Sequence, residues 1–344
     1  MEMNFCYGGC MNQLKPGEVI CPFCGHDNSK EKNDVSFLCE GTILQGKYLV
    51  GKLLRHTDLS AVYQGIVLLK ECFGTRVFIK EFFPYFLAFR FVKYADKNTY
   101  RFKIPAASEI KTVNKRRRIF EMESQVLSDM DRDWALEPCI DYFNENGTSY
   151  MVSWNLESDS DLMVDTLYDW EIQGHGISPD FILNHLRIES LMAKIKFLHH
   201  NHIIHGNINP QNLTIVRNFD GFDTWFMLCG FGEGNKSKVQ TEYESVNDGR
   251  VIIPDRYAAP EQYKKSAKLG PYTDIYGLCS TLYYAFTGKE PYNYCDRMEG
   301  KENVPLSKFN LDIPKNIADA VMHGMSFNYK DRPQSMEEFI MELL

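Results

Sequence analysis

No apolar run in the 344-residue chain approaches the roughly 18 to 20 residues needed to cross a bilayer. The start, Met1-Glu2-Met3-Asn4, lacks the basic flank and apolar core of a secretory signal. Both absences lead us to expect a cytoplasmic protein without a membrane partner. Positive charge is scarce: 38 Lys and Arg stand against 46 Asp and Glu, a net charge of −8, which argues against broad binding to nucleic acid. Internal repeats and low-complexity tracts are missing too. What is present suffices for a packed core, with 44% hydrophobic and 13% aromatic residues.

Four of the ten cysteines fall within the first 24 residues and the others stand singly, a pattern that fits metal binding and free thiols better than a disulfide framework. Cys6-x3-Cys10 and Cys21-x2-Cys24 are two close pairs, each able to offer two thiolates to one tetrahedral ion, with zinc the expected metal. Gly8-Gly9 and Gly25 permit the tight turns such a knuckle needs, and Pro16-Gly17 turns the chain between the pairs. A segment this short cannot bury a core, so the metal would supply most of its folding energy. His26 reads as an exposed histidine, since Cys24 stands nearer the ligand position. Residues 1–35 hold three lysines against five acids, which favours protein contact over nucleic acid. The polar stretch from Asn28 to Asp34 reads as a linker.

From Gly41 to Leu156 the pattern is strand-rich, with runs at 48–54, 61–67 and 77–83 and a hairpin closing at Asn146-Gly147. One helix is expected around Arg117 to Met130. Beyond Leu156 helical stripes dominate, Ile182 through Leu198 and Ile317 through Met325, with short strands at 202–204 and 225–229. A β-rich half followed by an α-rich half suggests two lobes with a cleft between them.

The motifs align with one family. Val77-Phe78-Ile79-Lys80, Phe120-Glu121-Met122-Glu123, His205-Gly206-Asn207-Ile208-Asn209-Pro210-Gln211-Asn212, Gly230-Phe231-Gly232, Ala259-Pro260-Glu261, Thr273-Asp274-Ile275-Tyr276-Gly277 and Asp331-Arg332-Pro333 come in the order and near the spacing of protein-kinase motifs. From about Gly41 to Leu344 the chain resembles the bacterial eukaryotic-like Ser/Thr protein kinases, especially those with an N-terminal zinc ribbon. The resemblance implies an α+β, bilobal protein-kinase-like fold: zinc ribbon 1–28, linker 29–40, β-rich small lobe 41–156, and α-helical large lobe 157–344. It also implies ATP as cofactor, gripped by Lys80 paired with Glu123.

Three departures weaken the chemistry so implied. Asn207 stands where the family has a catalytic aspartate; an amide is no base at neutral pH, and such a loss costs typically about 10² to 10⁴ in rate. Gly230 stands where an aspartate would hold Mg²⁺, leaving Asn212, a neutral amide poorly suited to a hard cation; Glu233 would have to swing in. The expected phosphate-covering loop, Leu54 to Tyr63, contains no glycine and carries Asp58. Arg55 reads either as a solvated arginine or as a direct phosphate contact. Gly206 replaces the arginine that reads a phosphorylated activation segment, although hydroxyls stand at Ser237, Thr241, Tyr243 and Ser245.

Mg²⁺ is thus poorly provided for and ATP left open, with Lys80 and Glu123 read either as a purely structural ion pair or as a residual nucleotide contact. The leading reading is a pseudokinase, regulatory or scaffolding in phospho-signalling, whose kinase-like body and ribbon bind proteins. A weakly active Ser/Thr kinase and a zinc-ribbon adaptor are the alternatives. The basic run Lys111 to Arg118 reads as a solvated loop leading into the helix or as a docking site for an acidic partner.

Overall fold

The computed structural model describes the chain except for residues 1–3, 9, 30–36, 58, 85–88, 92–100, 104–106, 131–134, 157–161, 173–177, 219–222, 232–255, 265–266 and 310–311. Asp58, Gly232, Glu233, Ser237, Thr241, Tyr243 and Ser245 therefore lie outside the described residues. Two compact units emerge: one from residues up to 129 with 138–158, the other from 130–137 with most of the chain after 159. No helix among the described residues is long and apolar enough to cross a membrane.

The first unit begins with a small hairpin, β1 (Asn4–Phe5) against β2 (Gln13–Leu14), and continues into a six-stranded antiparallel sheet. Its strands are β3 (Ile43–Leu44), β4 (Tyr48–His56), β5 (Ser60–Val67) and β6 (Arg76–Phe82). After a separate short pair, β7 (Phe89–Phe91) and β8 (Arg101–Lys103), and helix α1 (Ala107–Asp129), β9 (Cys139–Glu145) and β10 (Thr148–Trp154) complete it in the order β3-β4-β5-β6-β10-β9.

Side chains alternate across a strand, so each strand contributes to two faces. One face gathers Ala61, Tyr63, Val67, Val77, Ile79, Tyr150 and Val152 into a buried core. Phe37 and Leu38, in the stretch read as linker, belong to that core. The buried Glu81 carboxylate accepts from the hydroxyls of Tyr63 at 2.9 Å and Tyr150 at 3.0 Å. Tyr63 in turn accepts from the Leu38 amide at 3.1 Å. The opposite face carries Lys80 and Phe82, and α1 packs there through Phe120 on Phe82, ring centroids 5.8 Å apart.

Two expectations are corrected. The basic run lies inside α1, not in a loop before it: Lys111, Lys115 and Arg118 are exposed while Val113 and Phe120, two turns apart, point inward. Residues 202–204 form no strand, because His202 adopts a left-handed conformation (φ 59) just beyond the helix that precedes it.

In the second unit, β11 (Leu162–Thr166), β12 (Leu213–Asn218) and β13 (Thr224–Leu228) form an antiparallel sheet. The helices are α2 (Leu167–Ile172), α3 (Ile188–His200), α4 (Pro271–Thr287), α5 (Tyr294–Met298), α6 (Lys315–Gly324) and α7 (Met336–Leu343). Every residue of α4 from Thr273 to Phe286 is buried, the mark of a helix at the centre of its unit. Pro271 opens it, and Gly288, left-handed at φ 62, ends it by donating to the Tyr284 carbonyl at 2.8 Å.

Candidate functional site

Lys80 lies on β6 and Glu123 on α1, both almost fully buried. Glu123 follows Phe120 by three positions, on the helix face turned to the sheet. Arg55 pairs with Val62 across β4–β5, and Val62 with Lys80 across β5–β6. Directly paired residues share a face, so Arg55, Val62 and Lys80 form one row, with Arg55 exposed at its end.

The turn between β4 and β5 is closed by its own side chain. Thr57 Oγ1 accepts from the amides of Leu59 and Ser60, each at 3.0 Å, and the Thr57 amide donates to the Ser60 carbonyl at 2.7 Å. Thr57, Leu59 and Ser60 are all buried. A loop that cradles phosphate needs free backbone N–H groups; here two of them are already satisfied. The sequence showed the missing glycines but not this substitute, whose signal is the Thr-x-x-Ser spacing of a side-chain-closed turn.

In the second unit the loop from His205 to Asn212 hangs on Asp274 of α4. The Asp274 carboxylate accepts from the His205 amide at 2.9 Å and the Gly206 amide at 2.6 Å, and His199 Nε2 lies 2.8 Å from it. His205 Nε2–H donates to the Cys229 carbonyl at 3.0 Å while Nδ1 accepts from the Asn207 amide at 3.2 Å. That pair of partners fixes one neutral tautomer. Gly206 is left-handed (φ 69), a conformation that suits glycine better than the arginine of the family.

Three asparagines then lock one another. Asn209 Nδ2 donates to Asn207 Oδ1 at 2.7 Å and to its carbonyl at 2.9 Å. Asn209 Oδ1 accepts from the amides of Gln211 and Asn212, and Asn212 Nδ2 donates to the Asn207 carbonyl at 2.9 Å. Asn209, the hub, was not singled out by sequence; nothing in a string of residues says which amide faces which. Gly230 adjoins this cluster. It is left-handed (φ 88), and a Cβ there would fall 2.7 Å from Asn212 Cγ. Its amide donates to Glu137 Oε2 at 3.3 Å, a contact also absent from the sequence reading.

These residues do not fit Mg²⁺. Position 230 offers no side-chain oxygen, any side chain begun there would collide with Asn212, and a neutral amide alone is a weak ligand for that ion. Architectural residues, by contrast, are fully engaged. Arg332 forms a buried two-pronged pair with Glu261, 3.0 and 3.1 Å, and donates to the carbonyls of Ser326, Tyr272 and Phe327.

The four N-terminal cysteines do fit a metal. The Sγ atoms of Cys6, Cys10, Cys21 and Cys24 all lie within 4.8 Å of one another, with Cys6 to Cys24 at 3.5 Å and Cys10 to Cys21 at 3.4 Å. Tetrahedral zinc with bonds of about 2.3 Å requires sulfurs roughly 3.8 Å apart. Burial opposes ionisation of the Cys21 thiol, yet N–H groups of Cys24 and Phe23 together with the Cys10 and Cys24 side chains draw it down to about 7; burial pushes Cys6 and Cys10 up. His26 stays outside the cluster, its ring packed over Gly8, where a Cβ would stand 1.9 Å from it.

Comparison with known proteins bears on the fold. The family model for the protein kinase domain matches residues 87–344, a span that starts after Lys80. Mouse sperm motility kinase 3A is 23% identical over 154 residues, 44% of this chain and 29% of that protein. A Clostridium acetobutylicum chain described as a probable serine/threonine-protein kinase is 26% identical over 155 residues, 43% of this chain and 22% of its own length. The chain thus spans less than a third of either relative. Among solved structures, PpkA-294 in its apo form superposes with a TM-score of 0.64 at 21% identity, covering 90% of this chain and all of that one. The Mycobacterium tuberculosis PknI kinase domain gives 0.56 at 18% identity, covering 89% and 98%. At these identities the superpositions establish fold alone, and that fold, a β-sheet small lobe and a helical large lobe, is the kinase one. With well over half of its length matched by the family model, the chain belongs to the protein kinase domain family.

Proposed function

We propose that this protein keeps the kinase fold without phosphoryl transfer and works as a cytoplasmic pseudokinase, a regulatory or scaffolding partner of other proteins in phospho-signalling. The observation that carries the reading is Gly230 against Asn212: the place of the metal-holding acid is occupied by a neighbouring amide. Two further features support it. Asn207 Oδ1 is taken by Asn209, so even the weak acceptor left in place of a base is engaged. The turn amides of Leu59 and Ser60 are committed to Thr57.

Zinc, held by Cys6, Cys10, Cys21 and Cys24, would be structural: its charge stabilises the thiolates and ties two knuckles into one body. Among the described residues, magnesium has no site we can assign. Nucleotide without metal is a second reading, favoured by the buried Lys80 and Glu123 and by Arg55 in the Lys80 row.

The test is a phosphotransfer assay with purified full-length protein, ATP, and Mg²⁺ or Mn²⁺, on itself and on generic protein substrates. We expect no transfer above background. Transfer that disappears in Lys80→Ala overturns the proposal. A melting-temperature rise with ATP in the absence of divalent metal, lost in Lys80→Ala, would establish the nucleotide reading alongside it.

A further inference from the structure

The N-terminal ribbon is built into the sheet. Phe5 and Met11 are buried with Leu49 and Ile66 in one apolar cluster. Arg76 donates to Asn12 Oδ1 at 3.2 Å. A Cβ at Gly51 would come within 2.4 Å of the Met11 sulfur, so glycine at that point of β4 is what lets the ribbon seat.

Register locates this contact on the sheet. Leu49 pairs with Ile66, Ile66 with Arg76 and, at alternate positions on the same face, Val62 with Lys80. The ribbon and Lys80 therefore share one face of the sheet. Four residues of β6 separate the Arg76 contact from Lys80, roughly 13 Å.

Among the described residues the ribbon has little apolar packing of its own. Its own buried cluster is Cys6, Leu14 and Cys21, with Cys10 packed against it, far too little apolar surface for independent stability. An ion that binds the folded ribbon and not the unfolded one stabilises whatever folds with it. Here that includes the seat on β4 and β5.

We propose that the four-cysteine site is a metal-dependent clamp on the Lys80 face of the sheet: zinc occupancy sets how firmly β4 and β5 are held, and zinc release loosens them. The inference rests on reading the four cysteines as a zinc site. Its ligand is a thiophilic divalent cation, and what it regulates is the order of the face that carries Lys80 and Arg55.

The experiment uses the full-length protein. Zinc per chain is measured first; amide hydrogen exchange is then followed by mass spectrometry with zinc bound, after chelation, and after zinc is restored. We expect one zinc per chain and, on chelation, exchange at least tenfold faster in peptides covering Leu49–Gly51 and Gln64–Val67, reversed by zinc, with α4 unchanged. Met11→Ala should keep its zinc and show the faster exchange without chelator; should that variant not fold, Asn12→Ala serves as the milder substitution. Faster exchange confined to residues 4–28 overturns the clamp and leaves a separate zinc module. Acceleration everywhere, α4 included, is global unfolding and overturns it as well. Protein purified without chelator that carries no zinc removes the metal site itself, a failure distinguishable from the other two.

Discussion

At the scale of the residue, one backbone torsion does much to decide the chemistry. Gly230 sits at φ 88, where an L-side chain costs about 1–2 kcal/mol. The Asn212 amide lies across the direction in which a side chain would grow, and forced overpacking adds roughly 1–3 kcal/mol. Gly230→Asp, the change that restores the family's acid, should therefore lower stability by about 2–5 kcal/mol in urea unfolding. It should confer no phosphotransfer, even combined with Asn207→Asp. On the proposed reading, catalysis would be opposed by occupied space as well as by absent charge.

At the scale of the element, much was legible and some was not. The β9–β10 hairpin was read from Asn146-Gly147, and both residues indeed adopt positive φ, 53 and 76, as a two-residue turn between twisted strands requires. Helix α1 was read ten residues short because five cations among Lys111 to Arg118 look like solvent-facing loop. Their inward neighbours, Val113 and Phe120, are too far apart in sequence to stand out. The kinase motifs gave the positions of His205, Asn207, Asn212, Glu261 and Arg332 because each is fixed along the chain. The asparagine cluster and the Glu137 contact depend on which amide meets which, and linear spacing does not carry that.

The β4–β5 turn offers a direct test at this scale. Thr57→Val keeps the shape of the side chain but removes the oxygen that receives two amides. Leaving buried N–H groups unpaired costs about 1–3 kcal/mol, so the urea midpoint should fall accordingly, with faster exchange at Leu59 and Ser60. An unchanged midpoint would mean that water replaces the hydroxyl and that the turn amides are open to other acceptors.

Across the whole molecule, what has been kept is what holds distant segments together. Arg332 reaches Glu261 over a separation of 71 residues and the Tyr272 carbonyl over 60, and its guanidinium lies 4.6 Å from the Tyr276 ring. Its removal leaves the Glu261 carboxylate buried and uncompensated, although Thr273 still donates to it at 2.9 Å. Breaking one side of such a pair costs about 3–5 kcal/mol. Arg332→Ala should accordingly depress the thermal midpoint by several degrees, whereas loss of a surface pair such as Lys315 with Asp319 should be nearly silent.

The seat of the ribbon on β4 and β5 also has a consequence in time. During synthesis Cys24, the last of the four ribbon cysteines, emerges about 40 residues before Ile66, roughly 2–8 s at ordinary elongation rates. A metal taken up in that interval would shape Phe5 and Met11 into a ready surface before the strands they cover exist, so zinc supply during translation would govern the yield of folded protein more strongly than zinc supply afterwards.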